Sequence, residues 1–126
     1  MKKLLVLLFS LLISFNSYGE WTDVGKSVNG GTFYVDFERI KKQGGFVYYW
    51  SIFDYFKPTK YGDLSSKVYE QVDCELLRYK YLTDSYYKES MGKGEKTGGS
   101  NEPDKEWNYV EPASIHESVL KSVCSQ

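Results

Sequence analysis

The stretch from Glu20 to Gln126 predicts an α+β fold: an antiparallel β-sheet of about five or six strands with one C-terminal α-helix, stapled by one disulfide. Three observations point there. Runs of aromatic and branched residues alternate or pack densely between glycine turns. A capping signal opens a short amphipathic segment at the end of the chain. The chain holds two cysteines, an even pair, in what reads as an exported protein.

Residues 1–19 stand apart. Lys2-Lys3 is a basic start, Leu4 to Ile13 is apolar except for Ser10, and Ser17 and Gly19 are small residues three and one before a cut. This is the pattern of a secretory signal peptide, too short for a span of roughly 20 apolar residues. Residues 20–126 then form the mature chain, a length suited to a single domain with one core. Losing Lys2 and Lys3 takes the basic residues from 16 to 14, against 17 acidic ones. A weakly acidic exported domain argues against nucleic acid as a partner. The abundance of aromatic and aliphatic residues argues against disorder.

The elements follow in order. Trp21 to Val24 is a short candidate strand, and Asn29-Gly30-Gly31 is a turn signal. Thr32 to Phe37 alternates, with Phe33, Val35 and Phe37 on one side and Tyr34 and Asp36 on the other. Gly44-Gly45 marks the next turn. Phe46 to Phe56 carries only two residues, Ser51 and Asp54, that are neither aromatic nor aliphatic, as expected of a central strand. Ser65 to Leu82 reads as one long β-type stretch whose apolar parity switches near Leu76, with Glu70 out of place, so a bulge is expected at Leu76. Gly92 to Glu106 has no apolar side chain and is expected to be a mobile loop. Trp107 to Val110 resumes the strand pattern. Ser114-Ile-His-Glu117 reads as a capping box, with Ile115, Val119, Leu120 and Val123 on one helical face.

Candidate chemistry is sparse. Cys74 and Cys124 read as a disulfide closing a loop of about 50 residues, worth roughly 4 kcal/mol in the chain-entropy model, with buried free thiols as the competing reading. Two distant cysteines and one histidine are an incomplete metal-ligand set, and no calcium loop or phosphate loop matches, so no metal or cofactor is expected. His116 is the single imidazole, and no nucleophile-elbow sequence accompanies it. It reads as a plain surface histidine, and the chain as not an enzyme. Tyrosine is in excess of what one small core needs, and surface tyrosines make good contact residues. The candidate binding residues are Tyr48, Tyr49, Tyr55 and Tyr61, with Lys57 and Lys60 beside them.

The series Phe33-Tyr-Val-Asp36, Asp73-Cys74, Tyr86-Tyr87 with Met91-Gly-Lys-Gly94, and Val110-Glu-Pro112 leading to Val123-Cys124 resembles the surface-adhesin protein E family. That resemblance covers nearly the whole mature chain. It implies a six-stranded antiparallel sheet, a C-terminal helix and a Cys74–Cys124 bridge. It also implies a bacterial envelope protein, since the family's namesake is a dimeric adhesin for host matrix and epithelial cells. The namesake has a lipidated cysteine at its cleavage site, where this chain has Gly19-Glu20. No lipid anchor is therefore expected, and either the periplasm or the cell surface fits. The function expected is an exported binding module for a host matrix or envelope protein, possible as a homodimer. A periplasmic inhibitor of a hydrolase such as lysozyme, inserting Gly92 to Glu106 into a cleft, is the alternative.

Overall fold

The computed structural model describes residues 20–126, and the signal peptide read from residues 1–19 lies outside them. The strands are β1 Thr22–Lys26, β2 Thr32–Val35, β3 Lys41–Gln43, β4 Phe46–Asp54, β5 Ser65–Asp73, β6 Arg78–Tyr87, β7 Lys96–Ser100 and β8 Asn108–Tyr109. The helix α1 is Ile115–Cys124. All pairings are antiparallel, and the main order is β1-β2-β4-β5-β6-β7. Two short strands complete the sheet: β3 lies beside β2 on the outer edge of β4, and β8 beside β7 on the outer edge of β6. Eight strands are thus present, six of them in the main order, with the expected helix at the end.

The aromatic run Phe46–Asp54 is the central strand, as its density of apolar residues predicts. Its start is set by Gly44 and Gly45, with φ of 61° and 83°, the left-handed pair that a tight hairpin turn requires. On one side of the sheet, Val35, Val47, Tyr49 and Val72 meet Val119, Leu120 and Val123 of α1, all buried. Burying each of those three helix side chains stabilises the fold by roughly 1.5–3 kcal/mol. Ser114 caps α1, its hydroxyl accepting from the Glu117 N–H at 3.1 Å. The Cys74–Cys124 bond ties the last turn of α1 to the end of β5, with the Cα atoms 5.7 Å apart.

Two expectations are corrected. The parity switch at Leu76 is a hairpin turn rather than a bulge: Leu77 takes φ of 52°, and Asp73 Oδ1 accepts from Glu75 N–H and Leu76 N–H at 3.1 and 3.3 Å. The β5–β6 register shift lies instead between Tyr69 and Glu70. The apolar-free stretch Gly92 to Glu106 is not all loop, because Lys96–Ser100 forms β7 on β6. An edge strand needs backbone partners more than a hydrophobic face, and side chains add to the pairing here. Asp84 Oδ1 accepts from Ser100 N–H at 2.8 Å, and Thr97 donates its hydroxyl to Asp63 at 2.5 Å. Before Gly44, Lys41–Gln43 forms the short strand β3, held by hairpin pairing with Phe46–Tyr48 rather than by apolar residues of its own.

Candidate functional site: an aromatic and cationic sheet face

Successive side chains of a strand point to opposite faces. In β4, Val47 and Tyr49 point to the α1 side, which leaves Tyr48, Trp50 and Ile52 on the opposite, open face. Cross-strand pairing extends the open face in rows. Lys41, Tyr48, Gln71 and Lys80 form one row across β3, β4, β5 and β6. Trp50, Tyr69 and Thr83 form the next, and Ile52, Lys67 and Ser85 the one after.

The rings on this face pack against one another rather than into a core. Tyr69 lies 4.6 Å from Trp50 and 6.1 Å from Tyr48, centroid to centroid. The Lys67 ammonium sits 4.9 Å from the Trp50 ring and 5.7 Å from that of Trp21. A second group centres on Trp107, just before β8, which is approached by Arg78 at 4.5 Å and Lys80 at 4.9 Å and reaches back to pack on Phe46 of β4 at 5.5 Å. Cation–π contacts of this sort contribute about 0.5–1 kcal/mol each at exposed sites. They hold long, flexible lysines in defined positions.

One end of the face is closed by the turn Ser90–Gly92. Met91 N–H donates to Asp54 Oδ1 at 2.7 Å, and Gly92 N–H donates to the Ser65 hydroxyl at 2.9 Å. Met91 and Gly92 have φ of 62° and 66°. Gly92 rests over Ile52, which explains why Ile52 is buried on an otherwise open face.

The six candidate binding residues do not come together. Tyr48 is on the open face, its phenol oxygen accepting from Gln71 Nε2 at 3.2 Å. Tyr49 is the correction: it is 0% exposed and belongs to the core under α1, because its neighbour Tyr48 occupies the other side of the strand. Tyr55 is half-buried, edge-on to Phe53 at 5.1 Å, and lines a shallow cleft with Phe56 and Lys57. Lys60 and Tyr61 are exposed, with the Lys60 ammonium 5.0 Å from the Tyr61 ring, beside a cleft of about 700 Å³ shared with Tyr86 and Thr97. Sequence reasoning missed Trp50, Tyr69, Lys67, Lys41 and Lys80 as one surface. The alternation of β4 carried the signal for Trp50, but only strand pairing reveals the rest.

His116 is also corrected, since its side chain is 19% exposed and not a plain surface group. From the first turn of α1 it reaches Glu70 Oε1 at 2.7 Å, while the Tyr49 phenol donates to Glu70 Oε2. Tyr79 packs on the imidazole with centroids 4.2 Å apart. Burial and the nearby Glu70 carboxylate push both the Tyr49 and Tyr81 phenols well above their ordinary range, so they stay protonated donors. Glu70, out of place in the apolar pattern of β5, is therefore a buried acceptor joining three elements. Ser114, the nearest hydroxyl in sequence, is committed to the helix cap. The cluster anchors α1 to the sheet. Among the described residues, no group of three or more His, Cys, Asp or Glu side chains is placed to hold a metal. No helix among them is long and apolar enough to cross a membrane.

The chain is thus an antiparallel sheet stapled to one C-terminal helix, with its other face left as an ordered aromatic surface. Residues 21–125 match the family model described as surface-adhesin protein E, and the chain belongs to that family. Solved structures of Haemophilus influenzae protein E are similar in fold. One aligns with a TM-score of 0.62 at 17% identity, covering 84% of this chain and 86% of that one. A second crystal form aligns at 0.59 and 17% identity, covering 79% and 85%. Protein E from a non-typeable strain aligns at 0.58 and 16%, covering 83% and 75%. No curated protein sequence matches significantly.

Proposed function

We propose that this chain is an exported, non-enzymatic adhesin-type module that holds a macromolecular partner on its open sheet face. Residues 1–19 would direct export, and the partner would be a host matrix or envelope component. The observation that carries the reading is the Trp50, Tyr69 and Tyr48 stack with Lys67 over Trp50, ordered on a face that α1 does not cover. Aromatic groups with fixed cations give contact area at small entropic cost. Family membership supports the same class of function. The inhibitor alternative needs a loop free to enter a cleft, whereas Lys96–Ser100 is paired to β6.

The test uses the chain purified after export, applied to surfaces coated with basement-membrane matrix. Binding is compared with a Trp50→Ala, Tyr69→Ala variant and with a Lys60→Gln, Tyr61→Ala variant. The first should lose most of its binding and the second should keep it. Equal retention by both would overturn the placement of the site. Nanomolar inhibition of lysozyme by the unaltered chain would favour the alternative. Protease treatment of intact and permeabilised cells distinguishes surface from periplasm, and sedimentation reports whether the exported chain is a dimer.

A further inference from the structure

We infer that the partner bound by the open face is an extended polyanionic glycan, a sulfated or uronate-bearing chain. This deepens the proposed function and rests on it. The geometry is that of three separated, uncommitted cations around an aromatic and polar floor. Lys41 and Lys80 end the row that crosses β3, β4, β5 and β6. Three strand spacings place their backbones roughly 14 Å apart. Lys67 lies four residues from Gln71 along β5, again about 13–14 Å away.

None of these three lysines has a carboxylate within 4.0 Å among the described residues, whereas Arg78, Arg39 and Lys121 each have one. Tryptophan rings approach Lys67 and Lys80 but leave their charge uncompensated. In a mature chain of 14 basic and 17 acidic residues, three lysines without a carboxylate partner gather positive charge on one part of this face, with Asp23 and Asp54 at its β1 and Ser90–Gly92 margins. With the Lys67 ammonium over Trp50 and the Lys80 ammonium over Trp107, the charges sit over different rings, and a ligand with several charges suits them better than a single small anion. A repeating polyanion is such a ligand.

The chemistry between the lysines favours a glycan over an acidic peptide. Strands β4 and β5, which carry the floor, are paired on both sides, so a peptide lying across the floor finds no backbone edge there to extend the sheet. The floor offers the Tyr48 hydroxyl and the Gln71 amide, held together at 3.2 Å, as partners for sugar hydroxyls. Beside them an open groove of about 470 Å³ runs past Lys41, Phe46, Tyr48 and Tyr69. Its aromatic walls suit the C–H faces of sugar rings.

The probe is a heparin-derived octasaccharide, titrated calorimetrically into the exported chain at low and at physiological salt. A heparin disaccharide, a desulfated octasaccharide and an octaglutamate peptide are the comparisons. The octasaccharide should bind, weaken with salt, and exceed the disaccharide and the desulfated chain by at least tenfold. Lys41→Gln with Lys80→Gln should weaken it by about tenfold, as two surface ion pairs imply, with the melting temperature lowered by only a few degrees through loss of the Lys80–Trp107 contact, and Lys67→Gln should weaken it further. Octaglutamate binding as tightly, or octasaccharide binding indifferent to the lysine changes, or no binding, would overturn the inference. If the glycan fails while the Trp50→Ala, Tyr69→Ala variant still loses matrix binding, the face is the site and only its ligand class is wrong. If that variant keeps matrix binding, both fall.

Discussion

Replacing Tyr49 by Phe isolates the bond that joins the core to the helix anchor. Tyr49 is fully buried, and its ring stays in place in the variant. What is lost is the phenol that donates to Glu70 Oε2, leaving that oxygen without its donor in a site that is 3% exposed. A hydrogen bond to a charged group is worth about 1.5–3 kcal/mol, so the expected loss is about 2 kcal/mol. For a domain of this length that corresponds to a melting point lower by about 10 °C. The assay is thermal and urea unfolding followed by circular dichroism with the Cys74–Cys124 bond intact. The partner variant is Glu70→Gln, and the double variant closes the cycle. Tyr49 and Glu70 share one bond, so their effects should be less than additive by more than 0.5 kcal/mol. A Tyr49→Phe loss below about 0.5 kcal/mol, or strictly additive effects, would refute the view that Glu70 is held by donors from separate elements.

Other outcomes follow from the same structure. Cys74→Ser with Cys124→Ser should cost roughly 4 kcal/mol in urea, because the bond closes a separation of 50 residues; a loss under 1 kcal/mol would mean the reduced chain is already confined. Burial would raise the Asp73 carboxyl, but the Arg78 side chain and the Leu76 and Glu75 N–H groups outweigh it and hold the carboxyl below its ordinary range. A lowered folded-state value contributes stability above the ordinary carboxylate value of about 4 that is lost as pH falls through the folded value. The stability gap between the unaltered chain and Asp73→Asn should therefore narrow below about pH 4, and a gap constant across that range would contradict the pairing. Gly92→Ala should cost roughly 1 kcal/mol through left-handed strain at φ of 66°. It should also speed hydrogen exchange at the Met91 amide, and unchanged exchange there would mean the turn does not depend on that glycine.

The residue pattern alone established the class of fold. Alternation in Thr32–Val35, the dense run Phe46–Asp54 and the capping Ser114 each report a local preference that the tertiary structure preserved. The staple between Cys74 and Cys124 was legible as well, because two cysteines in a chain that reads as exported have few alternatives. Local pattern could not show β7, since Lys96–Ser100 is held by its partner strand and by the side chains of Asp63 and Asp84, with no hydrophobic periodicity of its own. Leu76 misled for a related reason: a hairpin turn and a bulge both shift side-chain parity by one, and only the left-handed Leu77 tells them apart.

The candidate site was less legible than the fold. Tyrosine abundance pointed to surface contacts, but adjacent Tyr48 and Tyr49 ended on opposite faces, one on the open surface and one in the core. Glu70, out of place in its strand pattern, and His116, the single imidazole, gave no sign of each other in sequence and met because α1 carries His116 to the Glu70 carboxylate. Lys41, Lys67 and Lys80 are spread over three strands, and only the pairing register sets them around one aromatic floor. Sequence determines which residues prefer a strand, a turn or a helix, since those preferences act over a few bonds. Which strands become neighbours is decided by burying one face against α1, and that choice composes the surface left open.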